Sequence, residues 1–110
     1  MAFDTLTVAI ELAGASRQPL ERLTRRDRDL ADQIRRAASS VALNVSEARK
    51  REGKDRGHLF RVAGGSAAEV ETALRLAEAW GHLDGESLAE SRTLLDRLGA
   101  LLWRLTHPRR

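Results

Sequence analysis

The chain has 110 residues, 19 Lys and Arg against 16 Asp and Glu, four aromatics and no Cys. Without Cys there are no disulfides, thiolate metal sites or cysteine nucleophiles, and no apolar run approaches the roughly 18 residues of a membrane span. Ala, Leu, Arg, Glu and Lys supply 62 residues, the composition of long helices, whereas seven Val or Ile are too few to furnish a sheet. The N-terminus has neither the basic start nor the long apolar stretch of a secretory leader. The expectation is a single helical domain over residues 1–110, soluble and cytoplasmic.

Three breaks, at Leu23–Asp27, Arg51–Asp55 and Gly81–Gly85, leave four stretches that each read at helical period. The first opens at Asp4 or Thr5, either of which can cap a helix by accepting a backbone N–H. Its apolar positions are Leu6, Ala9, Ile10, Ala13, Leu20 and Leu23. Pro19 lacks an N–H and crowds the preceding turn, which predicts a kink, while Leu20 and Leu23 predict that the helix continues beyond it. The second stretch carries Leu30, Ile34, Ala37, Val41, Val45 and Ala48. The third carries Leu59, Ala63, Ser66, Val70, Ala73, Ala77 and Trp80, in steps of four and three. The fourth follows Asp84 as its predicted cap, with Leu88, Ser91, Leu95, Leu98, Leu102 and Leu105 on one face and Leu94 and Leu101 widening it. Gly81 stands where a helix end favours a left-handed residue, and Pro108 stops the last helix.

Four amphipathic helices joined by short connections pack as antiparallel neighbours. The predicted fold is therefore all-α, an antiparallel up-down-up-down four-helix bundle. Its second and third helices are poor in large side chains, with Ala37 and Ala38 on one and the run Ala63-Gly64-Gly65-Ser66-Ala67-Ala68 on the other. A helical Gly costs about 1 kcal/mol against Ala, so the Gly pair predicts close helix approach. A phosphate-cradling loop would need a preceding strand and a following Gly-Lys-Ser/Thr, and has neither. Mirroring the two helices about Gly53 sets Ser40 and Ser66 at equal depth, where their hydroxyls can bond across the seam or back to an i−4 carbonyl.

No catalytic constellation emerges. His58, His82 and His107 fall near helix ends, where they meet carbonyls or water. A carboxylate-bridged metal site in a bundle needs Glu-x-x-His on two helices, and the lone near-match, Asp55-x-x-His58, reads better as a first-turn acid. Ser39, Ser40 and Ser66 have no His in their own stretch to act as base. The expectation is a protein that is not an enzyme and takes no metal or cofactor.

Charge is more informative. Residues 17–61 carry 13 bases and 7 acids, and residues 62–91 carry one base and six acids. In an up-down-up-down chain the second connection shares one end with both termini. That end collects Arg49, Lys50, Arg51, Lys54, Arg56, Arg61, Arg104, Arg109 and Arg110 against Asp4, Glu47, Glu52 and Asp55. At the other end Arg22, Arg25, Arg26 and Arg28 nearly cancel against Asp27, Asp29, Asp32, Asp84 and Glu86. A basic patch at one end attracts polyanions, and parallel subunits of an oligomer would multiply it.

The segments Leu30–Ala48, LADQIRRAASSVALNVSEA, and Phe60–Glu71, FRVAGGSAAEVE, together resemble a known family. It comprises the small four-helix-bundle proteins encoded in intervening sequences of bacterial 23S ribosomal RNA genes, the S23 proteins. The resemblance runs from the first helix to about Leu105. Its polar motif positions, Gln33, Asn44, Glu47, Ser66 and Glu69, read as structural contacts that fix helix register. The family is similar to the accessory variability protein of diversity-generating retroelements, a basic homopentameric barrel that partners a reverse transcriptase and binds nucleic acid. What the resemblance implies here is a homo-oligomer, a pentamer by that likeness, with RNA or DNA and a reverse transcriptase or other protein as partners and no membrane. The family pattern places Gly after Asn-x-x-Glu, where this chain has Ala48, which predicts that the second helix runs on toward Arg51.

The reading is a non-enzymatic oligomeric bundle that binds structured RNA or DNA through its basic end. The alternative is a protein-interaction scaffold with no nucleic-acid role. No aromatic is interleaved with the bases except Phe60, which is expected to face a seam, so contacts are expected with backbone phosphates.

Overall fold

The computed structural model describes residues 2–108. Its four helices are α1 (Ala2–Arg26), α2 (Arg28–Ala48), α3 (Gly53–Ala79) and α4 (Ala89–Thr106). Sequence neighbours pack side by side and α1 closes the square against α4, as an antiparallel up-down-up-down bundle requires. The bundle measures 44 × 21 × 19 Å, its length set by the 25 and 27 residues of α1 and α3.

The helix boundaries follow local chemistry, with some departures from the predicted ones. The first break is the single residue Asp27, whose carboxylate accepts the Leu30 N–H at 3.1 Å and so caps α2. The α1 helix begins at Ala2, which puts Asp4 in its first turn as a favourable acid instead of at the cap, and Thr5 is buried. It runs on through Pro19, which is buried, because Leu20 and Leu23 beyond it still belong to the core. The α2 helix stops at Ala48 and does not reach Arg51. The Lys50 and Arg51 N–H groups turn back to the Glu47 and Ala48 carbonyls, and Gly53 (φ +60°) adopts the left-handed conformation in the reversal. With that role at residue 53, alanine at 48 is compatible with the turn.

The far end of α3 closes as sequence predicts. Gly81 takes φ +76°, its N–H bonds the Glu78 carbonyl, and His82 N–H bonds Ala77, both at 2.9 Å. These are the paired bonds of a Schellman motif. Asp84 does not cap α4, whose N-cap position is Leu88 without a side-chain cap. The Asp84 carboxylate accepts the Ser87 N–H at 2.8 Å over a tight turn, and α4 starts only at Ala89. That backbone hydrogen bond, then the Ser87 hydroxyl and the Arg22 charge, hold the Asp84 carboxyl below its ordinary pKa.

The core is continuous along the bundle. Leu12, Leu23, Ile34, Phe60, Leu74, Leu88 and Leu98 are its fully buried large members, each contributing about 1.5–3 kcal/mol by leaving water. The α2 positions Leu30, Ile34, Ala37, Val41, Val45 and Ala48 are all buried, as are Leu95, Leu98 and Leu102 of α4. Two predicted faces shift. In α1 the buried residues are Thr5, Val8, Ala9, Leu12, Ser16, Pro19, Leu20 and Leu23, so Ile10 and Ala13 face outward. In α3 Trp80 lies past the helix end and is 70% exposed.

Alanines are frequent among the buried residues of α2 and α3: Ala31, Ala37, Ala38 and Ala48 on one, and Ala63, Ala67, Ala73 and Ala77 on the other. The glycine pair has a different explanation from the expected one. A Cβ added at Gly64 or Gly65 would have nothing within 4 Å, so helix approach does not require glycine there. Gly64 is half-buried and lines a surface groove between α3 and α4. Each of Gly64→Ala and Gly65→Ala is therefore expected to raise unfolding stability by about 0.5–1 kcal/mol, read from urea denaturation. A loss of stability in either would restore the close-packing explanation.

Candidate nucleic-acid interface

One end of the bundle gathers the turn after α2, the start of α3 and the last turn of α4. Arg49, Lys50 and Arg51 occupy that turn, Lys54, Arg56 and Arg61 the first turns of α3, and Arg104 the end of α4. All seven are exposed. Arg109 and Arg110 lie outside the described residues. Four acids share this end: Asp4, Glu47, Glu52 and Asp55. Glu47 is engaged by Arg51 at 3.0 Å, one helical turn away, and Asp55 sits in the first turn of α3, where a carboxylate suits the helix dipole. Among the described residues the balance is seven bases to four acids.

The helices meet here closely enough to make a shared surface. A depression joins Lys54, Arg56, Gly57, Phe60 and Arg61 of α3 to Leu105, Thr106 and Pro108 of the chain's last turn. Phe60 is buried, as expected, and the Arg56 guanidinium lies 5.6 Å from its ring centroid, a cation–π distance. Beside this depression the α3/α4 groove brings Arg61 together with Trp103, an aromatic that the sequence reading left out of the basic end. Trp103 sits next to Leu102 of the core stripe, and only the α3–α4 pairing reveals its neighbour Arg61.

The opposite end is internally neutralised. Asp27 caps α2 and faces His82 Nε2 at 3.6 Å, Arg92 pairs with Glu78 at 2.6 Å, and Arg22 lies near Asp84. These contacts tie the connections of that end together and leave little net field.

The polar motif positions separate into a structural group and a solvated one. Ser40 and Ser66 do bond across the α2/α3 seam, at 2.9 Å, and Asn44 Nδ2 donates to both the Ser40 carbonyl and hydroxyl. The cluster is half-buried. A second serine pair escaped the sequence reading: Ser16 and Ser91, both buried, meet at 3.1 Å across the α1/α4 seam. Its polar members hid the α1 stripe. Gln33 and Glu69 are exposed, and Glu47 serves Arg51. No group of three His, Asp or Glu able to hold a metal occurs among the described residues. Among the described residues no helix is long and apolar enough to cross a membrane.

Comparison with known proteins fixes the family. The model of the 23S rRNA-intervening sequence protein family matches residues 4–104, and the chain belongs to that family. A crystal structure of a protein of unknown function from the S23 ribosomal protein family of Bacteroides thetaiotaomicron superposes with a TM-score of 0.82 at 19% identity. The match covers 93% of this chain and 97% of that one, which shows a shared fold. No curated protein matches the sequence.

The serine cluster is expected to be structural. Ser66→Ala removes the cross-seam partner of Ser40, whose hydroxyl keeps its bond to Asn44. Unfolding free energy in urea should fall by about 0.5–1.5 kcal/mol with nucleic-acid affinity unchanged. Unaltered stability with lost affinity would move the cluster into the binding surface.

Proposed function

We propose that this member of the 23S rRNA-intervening sequence protein family is a non-catalytic, self-associating protein that binds structured RNA through its basic end. The observation that carries the reading is the convergence of exposed Arg and Lys from three chain segments on one end, while the other end neutralises its own charges. Guanidinium groups suit phosphate because they present planar pairs of donors. Their anchoring on helix termini, with Arg56 resting on Phe60, gives the patch a defined shape. DNA backbone offers the same phosphates, and an RNA preference would come from the A-form spacing and the 2′-hydroxyl. The likeness to accessory variability proteins favours a parallel oligomer, a pentamer in that comparison, that serves a reverse transcriptase or an rRNA insertion.

Self-association is supported by apolar side chains that stay in water in the single chain. Ile10 of α1, Leu43 of α2 and Leu76 of α3 are 58%, 69% and 45% exposed. Covering them on a neighbouring subunit would recover about 25 cal/mol per Å² of apolar surface.

Two measurements test the reading. Affinity for an RNA hairpin should fall about 40-fold between 50 and 200 mM salt if three phosphates are neutralised, since each releases close to one counterion. Binding that is flat in salt, or absent at low salt, leaves the protein-scaffold alternative. Light scattering should give a mass that is a multiple of 12.2 kDa, lowered by Leu43→Glu. A wild-type mass of one chain at micromolar concentration would refute self-association.

A further inference from the structure

Trp103 is 60% exposed on the last turns of α4, although a tryptophan gains much by burial. Its ring is held in place. His107, one turn later, stacks on the indole with centroids 4.3 Å apart and planes 8° from parallel. The His107 Nδ1 lies 3.0 Å from the Trp103 carbonyl and 3.1 Å from the Thr106 hydroxyl, which orients the imidazole. One face of the indole is therefore covered. One turn earlier, where a helical neighbour would cover the other side, the chain has Gly99, and a Cβ built there meets nothing within 4 Å.

The space in front of this open side is the α3/α4 groove, about 320 Å³, lined by Arg61, Gly64, Ala68, Gly99 and Trp103 among others. That volume lies at the lower end of the range for small-molecule pockets. Gly64, Ala67, Ala68 and Gly99 make part of the lining, beside Leu95, Leu102 and Thr106, which leaves room for a flat ring, and the groove carries one cation, Arg61, and one carboxylate, Glu71. The other tryptophan, Trp80, is also exposed, at the neutralised end and without a ring partner among the described residues. Exposed aromatic rings beside guanidinium groups are how single-stranded nucleic acid is held, by base stacking with phosphate pairing.

We infer that Trp103 is a stacking platform for an unpaired nucleobase of the bound RNA, with Arg61 taking an adjacent phosphate. The inference rests on the proposed RNA binding at this end and deepens it. The RNA recognised there contains a single-stranded loop, bulge or end, and a continuous duplex cannot present a base to the groove.

The test uses the full chain with Trp80→Phe, which leaves Trp103 as its one tryptophan. Short oligouridylate should quench its emission, and a blunt RNA duplex of the same length should not. Trp103→Leu should weaken oligouridylate binding about tenfold and leave duplex binding unchanged, while Trp103→Phe keeps most of it. Gly99→Leu, which places a side chain in open space on a helix, should mimic Trp103→Leu with the fold retained. Binding of both RNAs with no quenching, or equal losses for both, overturns the platform and leaves the basic end standing. Failure of both RNAs to bind at low salt overturns both readings. If Trp103→Leu instead lowers the mass of the free protein, the groove belongs to a second copy and the inference falls.

Discussion

The alanine seam between α2 and α3 is the constraint on which the rest of the molecule depends. These two helices make the most extensive of the four adjacent contacts, and alanine is the commonest of their buried residues. Side chains that small let two helices approach closely, and close approach needs a short, sharp connection. The turn at Arg49–Glu52, with Gly53 left-handed, supplies it. A turn this short has no room to bury its residues, so its bases face water. The antiparallel return of α4 then brings Arg104 and Trp103 to the same end. The packing that closes the bundle thus also assembles the charged surface.

Much of this was legible in the chain. The α2 stripe keeps its period without interruption from Leu30 to Ala48, and every predicted member is buried. The equal depth of Ser40 and Ser66 followed from mirroring two helices about Gly53, and their hydroxyls meet. The family resemblance rested on the same segments, because a seam of small residues leaves a dense and recognisable pattern.

What was not legible has physical causes. The α1 face was misphased because two of its core positions are polar, Thr5 and Ser16, and Ser16 needs Ser91 of another helix to be satisfied. Trp80 followed the α3 period but is the C-cap, one residue past Ala79 and just before Gly81 turns the chain, and a period carries no information past a helix end. The glycine pair looked like a contact because glycine inside a helix is costly; Gly64 instead lines a groove and Gly65 is exposed. Trp103 was invisible as part of the basic end because its link to Arg61 exists only across the α3/α4 pairing.

The two ends of the bundle have different jobs, and a charge swap at each end measures that directly. RNA affinity at fixed low salt would be compared between Arg56→Glu with Arg61→Glu and Arg25→Glu with Arg26→Glu, pairs that change net charge equally. A loss of at least about tenfold is expected for the first pair and much less for the second, since a phosphate contact is local while net charge is not. Equal losses from the two pairs would contradict that expectation, because binding would then follow total charge and not the end at which it sits.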